Sequence, residues 1–184
     1  GDRMNALGMI ELTSIPAGVQ AGDAMLKAAA VELVTAQPVC AGKYIVLVTG
    51  EAAAVRESVE AGKLSGGEKL VDSMFVANIH PQVPRAINAC TEIGRVASVG
   101  VIEVFSLCAA VLAADAAAKA ADVRLMEVRL GRGLGGKSFI ALTGEIASVQ
   151  AAIDAARAVE GTAGLMNDSV VIPAPHPDMI RSLY

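Results

Sequence analysis

The chain repeats itself, and that repeat restricts the fold more than any other feature. The segment LGMIELTSIPAGVQAGDAMLKAAAVEL (Leu7 to Leu33) returns as VGVIEVFSLCAAVLAADAAAKAADVRL (Val99 to Leu125). Gly8, Ile10, Glu11, Ser14, Asp23, Ala24, Lys27, Val31 and Leu33 recur as Gly100, Ile102, Glu103, Ser106, Asp115, Ala116, Lys119, Val123 and Leu125. After a short insertion in the second copy, Gly42, Lys43, Thr49, Gly50, Glu51 and Val55 recur as Gly136, Lys137, Thr143, Gly144, Glu145 and Val149. After another, Asp72, Ser73, His80 and Pro81 recur as Asp168, Ser169, His176 and Pro177. Self-similarity at a fixed period marks a repeated architecture. A unit of about 90 residues is a domain rather than a solenoid repeat. Two like domains are expected, over residues 5–94 and 95–184.

Each unit alternates strand and helix patterns. GMIELTS reads as a short apolar strand. After a turn at Pro16–Gly18, apolar residues on one side of the following segment predict a helix. VELVT and KYIVLVTG read as two more strands, the second apolar enough to be buried on both faces. In EAAAVRESVEAG, Val55 and Val59 stack at i, i+4, and Gly62 is a candidate helix stop. LVDSMFVAN is a fourth strand and HPQVPRAIN starts a short helix. The expected fold class is α+β: two tandem domains, each a β-α-β-β-α-β sandwich with helices packed on one face of one sheet.

Composition narrows the function classes. The chain is 54% apolar and only 3% aromatic, with no Trp, so Ala, Val, Leu, Ile and Gly must do the packing. This suits tight contact between helices, sheets and neighbouring subunits. A net charge of −4 argues against a nucleic-acid surface. Val104 to Ala114 is a charge-free run, but Asp115 ends it well short of a membrane-spanning length. No basic-then-apolar leader is visible, and Gly1–Arg3 ahead of Met4 read as an expression remnant. Cys40, Cys90 and Cys108 are an odd, widely spaced set. They do not read as a disulfide framework and point to a reducing cytoplasm.

Several residues carry candidate chemistry. GRGLGGKS (Gly131 to Ser138) matches the phosphate-binding pattern G-x-x-x-x-G-K-[ST]. That motif needs a helix after the loop to supply positive N-terminal charge. Here SFIALTGE follows, which reads as a strand, so the match is taken as chance. His80 and His176 each precede Pro and suit helix starts better than metal binding. Glu11 and Glu103 recur by duplication, which explains them without a catalytic pair. Lys27 and Lys119 end equivalent helices, where a cation is favoured. Cys108 fits a small core residue and Cys90 a surface or linker residue. Cys40 stands apart in the turn VCAGK between two strands, while the sister loop carries no thiol. One thiol per chain cannot hold an iron–sulfur cluster, which takes about four ligands, unless symmetry brings copies together.

The ordered motifs LGMIELTSI, GDAMLK, VCAGK, VDS, ANIHP and IPAPH resemble the bacterial microcompartment shell domain, and the chain from about Leu7 to Ile180 resembles its tandem-domain members of the propanediol-utilisation type. The resemblance implies a structural role in the shell of a cytoplasmic compartment, not catalysis. Three copies would close as a homotrimer, a pseudohexamer, that tiles with other shell proteins. Turns between the second and third strands would line a central pore: Val39, Ala41 and Gly42 from the first domain, and Gly133, Leu134 and Gly135 from the second. Cys40 matches the residue that, in such proteins, holds a 4Fe-4S cluster, one per trimer, with a thiolate from each of three chains. The implied role is transfer of electrons, or of the cluster, across the shell to enclosed redox enzymes. The alternative is a metabolite-conducting pore without a cluster. Neither nucleic acid nor membrane is an implied partner. Lys27 and Lys119 match the family's tile-edge lysine, whereas Ala174 in PAPH departs from the Arg often found there.

Overall fold

A computed structural model describes residues 5–131, 137–160 and 164–183. The chain divides into two compact units, Gly1–Pro81 and Gln82–Tyr184.

In the first unit the order is β1 (Ala6–Leu12), α1 (Ile15–Ala28), β2 (Glu32–Val39), β3 (Lys43–Gly50), α2 (Ala52–Gly66) and β4 (Leu70–Val76). The four strands form one antiparallel sheet in the order β2-β3-β1-β4. Every residue of the central strand β1 is buried. Helices α1 and α2 pack on each other and on the sheet. The core between them gathers Ile10, Leu12, Ala21, Met25, Val46, Val48, Val55 and Val59. Gly8 is what lets α2 come down on β1: a Cβ there would lie 2.5 Å from the Val59 side chain and 2.8 Å from that of Val55.

The second unit opens with a short helix, α3 (Gln82–Ile87), and then repeats the plan. It has β5 (Ser98–Val104), α4 (Leu107–Ala120), β6 (Val123–Arg129), β7 (Ser138–Gly144), α5 (Ile146–Arg157), β8 (Met166–Ile172) and a terminal helix α6 (Pro177–Arg181). Its sheet runs β6-β7-β5-β8, again antiparallel throughout. The registers agree: Glu11 faces Asp72 across β1 and β4, and Glu103 faces Asp168 across β5 and β8. The β-α-β-β-α-β order expected from the repeat is the observed one.

Two helix boundaries differ from expectation. α1 starts at Ile15, because Ser14 caps it by accepting from the Ala17 amide at 3.4 Å and Pro16 is tolerated in the first turn. Ser106 caps α4 in the same way, accepting from the Ala109 amide at 3.3 Å. α2 runs through Gly62, which packs against Met25 and Ile10, and stops at Gly67. Gly67 has φ +49, a positive value glycine adopts without steric cost, and its amide donates to the Lys63 carbonyl.

Candidate functional site

The β2–β3 hairpin closes through the pair Val39 and Lys43, leaving Cys40–Gly42 as its tip. Ala41 and Gly42 both have positive φ, 63° and 70°, which turns the chain within three residues. A side chain added at Gly42 would meet nothing within 4 Å, so the tip is open on that side. Val39 is buried and anchors the base, Ala41 and Gly42 are exposed, and the Cys40 thiol is half-buried.

A brace lies directly behind the tip. Lys43 Nζ sits 3.2 Å from Glu11 Oε1, joining the start of β3 to the central strand. The second unit repeats the brace with Lys137 and Glu103 at 3.1 Å. There Asn167 also donates to the Glu103 carboxylate. That hydrogen bond first, and the Lys137 ammonium second, hold the Glu103 carboxyl below the ordinary carboxylate range. The recurring glutamates and lysines were visible in the sequence at matched spacing. The fold brings each glutamate to its own lysine.

Lys137 is therefore held by a carboxylate, and its ammonium lies 5.9 Å from the centre of the Phe105 ring. β7 follows it, not a helix, so the context for phosphate binding fails. Gly133, Leu134 and Gly135 lie outside the described residues.

The other candidates scatter. His176 caps α6, its Nδ1 accepting from the Asp178 amide at 3.2 Å, and His80 precedes α3. Lys27 and Lys119 occupy the last turns of α1 and α4. Each pairs at 2.6 Å with an aspartate four residues earlier, Asp23 and Asp115. Cys90 is exposed, and its thiol donates to the Asn88 carbonyl at 3.3 Å. Cys108 is half-buried in the first turn of α4 rather than deep in the core. Among the described residues, no three of His, Cys, Asp and Glu converge as a metal site within one chain. No described helix is long and apolar enough to cross a membrane.

The comparisons with known proteins agree with this geometry. The BMC domain family matches twice, over residues 6–79 and 98–175. The bacterial microcompartment shell protein PduT of Citrobacter freundii is 38% identical over 97% of both chains. A carboxysome shell protein of Halothiobacillus neapolitanus is 40% identical over 47% of this chain and 92% of its own length, as a single-domain match would be. The crystal structure of a microcompartment protein from Desulfitobacterium hafniense superposes with a TM-score of 0.94 at 47% identity, covering 97% of this chain and 99% of that one. Two BMC domains in tandem, on a relative shared end to end, place the chain in the BMC-domain family of bacterial microcompartment shell proteins.

Proposed function

We propose that three copies of this chain close into a pseudohexameric shell tile whose central pore holds a 4Fe-4S cluster on Cys40. The observation that carries the reading is the single thiol in an open turn, present in only the first of two otherwise matched domains. A one-chain cluster site is not built among the described residues. A three-fold axis turns one thiol into three, and soft thiolates favour iron–sulfur clusters. The donor set therefore fits a cluster shared between chains, with one iron left to a ligand that is not a protein thiol.

The bound cluster would supply one-electron chemistry at the pore. The chain's own residues supply the frame. Val39 anchors the turn, Ala41 and Gly42 bend it, and the Lys43–Glu11 ion pair fixes the start of β3 behind it. The tile would join other shell proteins at its perimeter through Lys27 and Lys119, and enclosed redox enzymes would take up the electrons. The chain itself is not an enzyme in this reading.

Anaerobic reconstitution with iron and sulfide tests it. The parent should turn brown and bind iron, and Cys40→Ser should bind none while keeping the parent's mass in solution. If the parent takes up no more iron than Cys40→Ser, the cluster reading fails and an unmetallated, metabolite-conducting pore takes its place.

A further inference from the structure

The same strand is covered in one unit and bare in the other. β2 and β6 each form one edge of their sheet. On β6, Leu125 is fully buried and Val123 is 6% exposed. On β2, the equivalent Leu33 is 48% exposed. Helix α3 lies against β6 and α4, with Val83 and Ala86 buried. Gln82 ties it there, donating to the Val123 carbonyl at 3.1 Å and accepting from the Leu125 amide at 2.7 Å. This side chain satisfies both a donor and an acceptor of an otherwise open strand edge.

By the repeat, the counterpart of α3 is α6. Asp178, Met179 and Arg181 stand where Gln82, Val83 and Arg85 stand. Yet α6 buries none of its residues, and Met179 is 59% exposed where Val83 is fully buried. One chain thus carries one complete helix-on-edge contact and two unused halves of a second.

We propose that the unused halves meet between copies: α6 of one chain docks on the β2 edge of the next. This rests on the three-fold closure proposed above, but not on the cluster. Charge favours the pairing. Within the chain, Arg85 and Arg124 line the same cavity as Gln82 and Glu92. Between copies, Arg181 would face Glu32, the β2 counterpart of Arg124, so the opposed charges attract. Asp178 can accept from the Leu33 amide as Gln82 accepts from that of Leu125, but it has no donor for the Val31 carbonyl. The contact between copies therefore has one hydrogen bond fewer than its in-chain template, and Arg181, which pairs with Asp178 in the single chain, would share its guanidinium with Glu32. It is heterologous, so it propagates head to tail and must close as a ring or run on.

Solution mass against concentration tests the contact. Leu33→Asp and Met179→Asp change exposed residues and should leave each chain folded. Each is expected to weaken trimer formation at least tenfold. Glu32→Arg and Arg181→Glu should each weaken it a few-fold, and the double reversal should return it towards the parent. A parent trimer that neither apolar substitution affects overturns this contact alone. So does a double reversal no better than the singles. A parent that stays monomeric at every concentration overturns the three-fold closure, and this contact with it.

Discussion

The two units reach the same packing with different side chains. In the first, Gly18 of α1 lies against Tyr44 of β3, and a Cβ at Gly18 would sit 2.4 Å from the tyrosine ring. In the second, Ala110 and Ser138 hold the same two places, and both are fully buried. Gly62 lies against Met25, with 2.7 Å to a Cβ built there, and its counterparts are the buried Ala156 and Ala117. Bulk has moved across each interface without changing the sheet order. The domains can thus diverge inside, provided facing residues change as pairs. The fold therefore does not dictate what the two β-hairpins carry: a thiol in VCAGK, and none in the sister loop. That asymmetry calls for a functional explanation.

The largest expected effect breaks the comparison at the cysteines. Cys40→Ser should abolish iron binding, whereas Cys90→Ser and Cys108→Ser should retain the parent's iron content after reconstitution. Cys108→Ser places a hydroxyl in a half-buried helix turn and should cost about 1 kcal/mol of stability. Iron that follows Cys90 or Cys108 instead would remove the role of the first hairpin.

The next effect sharpens the size exchange. Gly18→Ala in the parent should destabilise, because overpacking against a rigid ring costs about 1–3 kcal/mol and outweighs about 1 kcal/mol of gained helix propensity. In a Tyr44→Ser background the same substitution should stabilise by about 1 kcal/mol, since only the propensity gain remains. Denaturant unfolding of the four proteins reads this sign reversal directly. The same sign in both backgrounds would show that Gly18 and Tyr44 are not a coupled pair.

These pairs show what the sequence makes legible. Matched Gly8 and Gly100, Ser14 and Ser106, and the apolar β3 and β7 segments locate strands, caps and helix-bearing faces, because each is a local pattern. The cysteine's turn is legible for the same reason. Local pattern failed where a distant partner decides. Gly62 reads as a helix stop, but Met25 and Ile10 pack against it and α2 continues to Gly66. Glu11 and Glu103 read as residues repeated by duplication, and that each pairs with its own lysine across the sheet is decided by the fold. Gln82 lies in the segment read only as a short helix, and its clasp on β6 depends on a strand 41 and 43 residues away along the chain.

A smaller difference is expected at the two edge lysines. The Lys27–Asp23 pair is largely exposed, with side chains at 74% and 60%. The Lys119–Asp115 pair is not, at 38% and 11%. Lys27→Ala should cost only about 0.2–0.5 kcal/mol, as for surface i, i+4 pairs. Lys119→Ala should cost about 1.5 kcal/mol or more, because it removes a hydrogen bond from a largely buried carboxylate. Equal losses in thermal unfolding would mean that burial of Asp115 does not matter. Changing both lysines to Asp should leave trimers intact and stop tiles from associating into sheets. Sheets of unaltered extent in electron micrographs would remove the edge role.

The smallest effect separates the two braces. Glu103 has Asn167 beside it, whereas the corresponding position in the first unit is Val71. Asn167 is the first cause of the lowered Glu103 pKa and Lys137 the second. Asn167→Val and Lys137→Ala should therefore each raise the Glu103 titration towards its ordinary value of 4.5. Carboxyl-carbon NMR against pH reads both. The sign of the stability effect follows from linkage. A carboxyl whose folded pKa is depressed contributes stability that is present above its unfolded value and is lost as pH falls through the folded value. The parent should thus exceed Asn167→Val in stability at neutral pH, and part of that margin should vanish below about pH 4.5. The margin should be small, because the Glu103 side chain is 35% exposed and water competes for the hydrogen bond. A Glu103 titration unchanged by Asn167→Val would make the first and second braces electrostatically equivalent, and Asn167 a bystander.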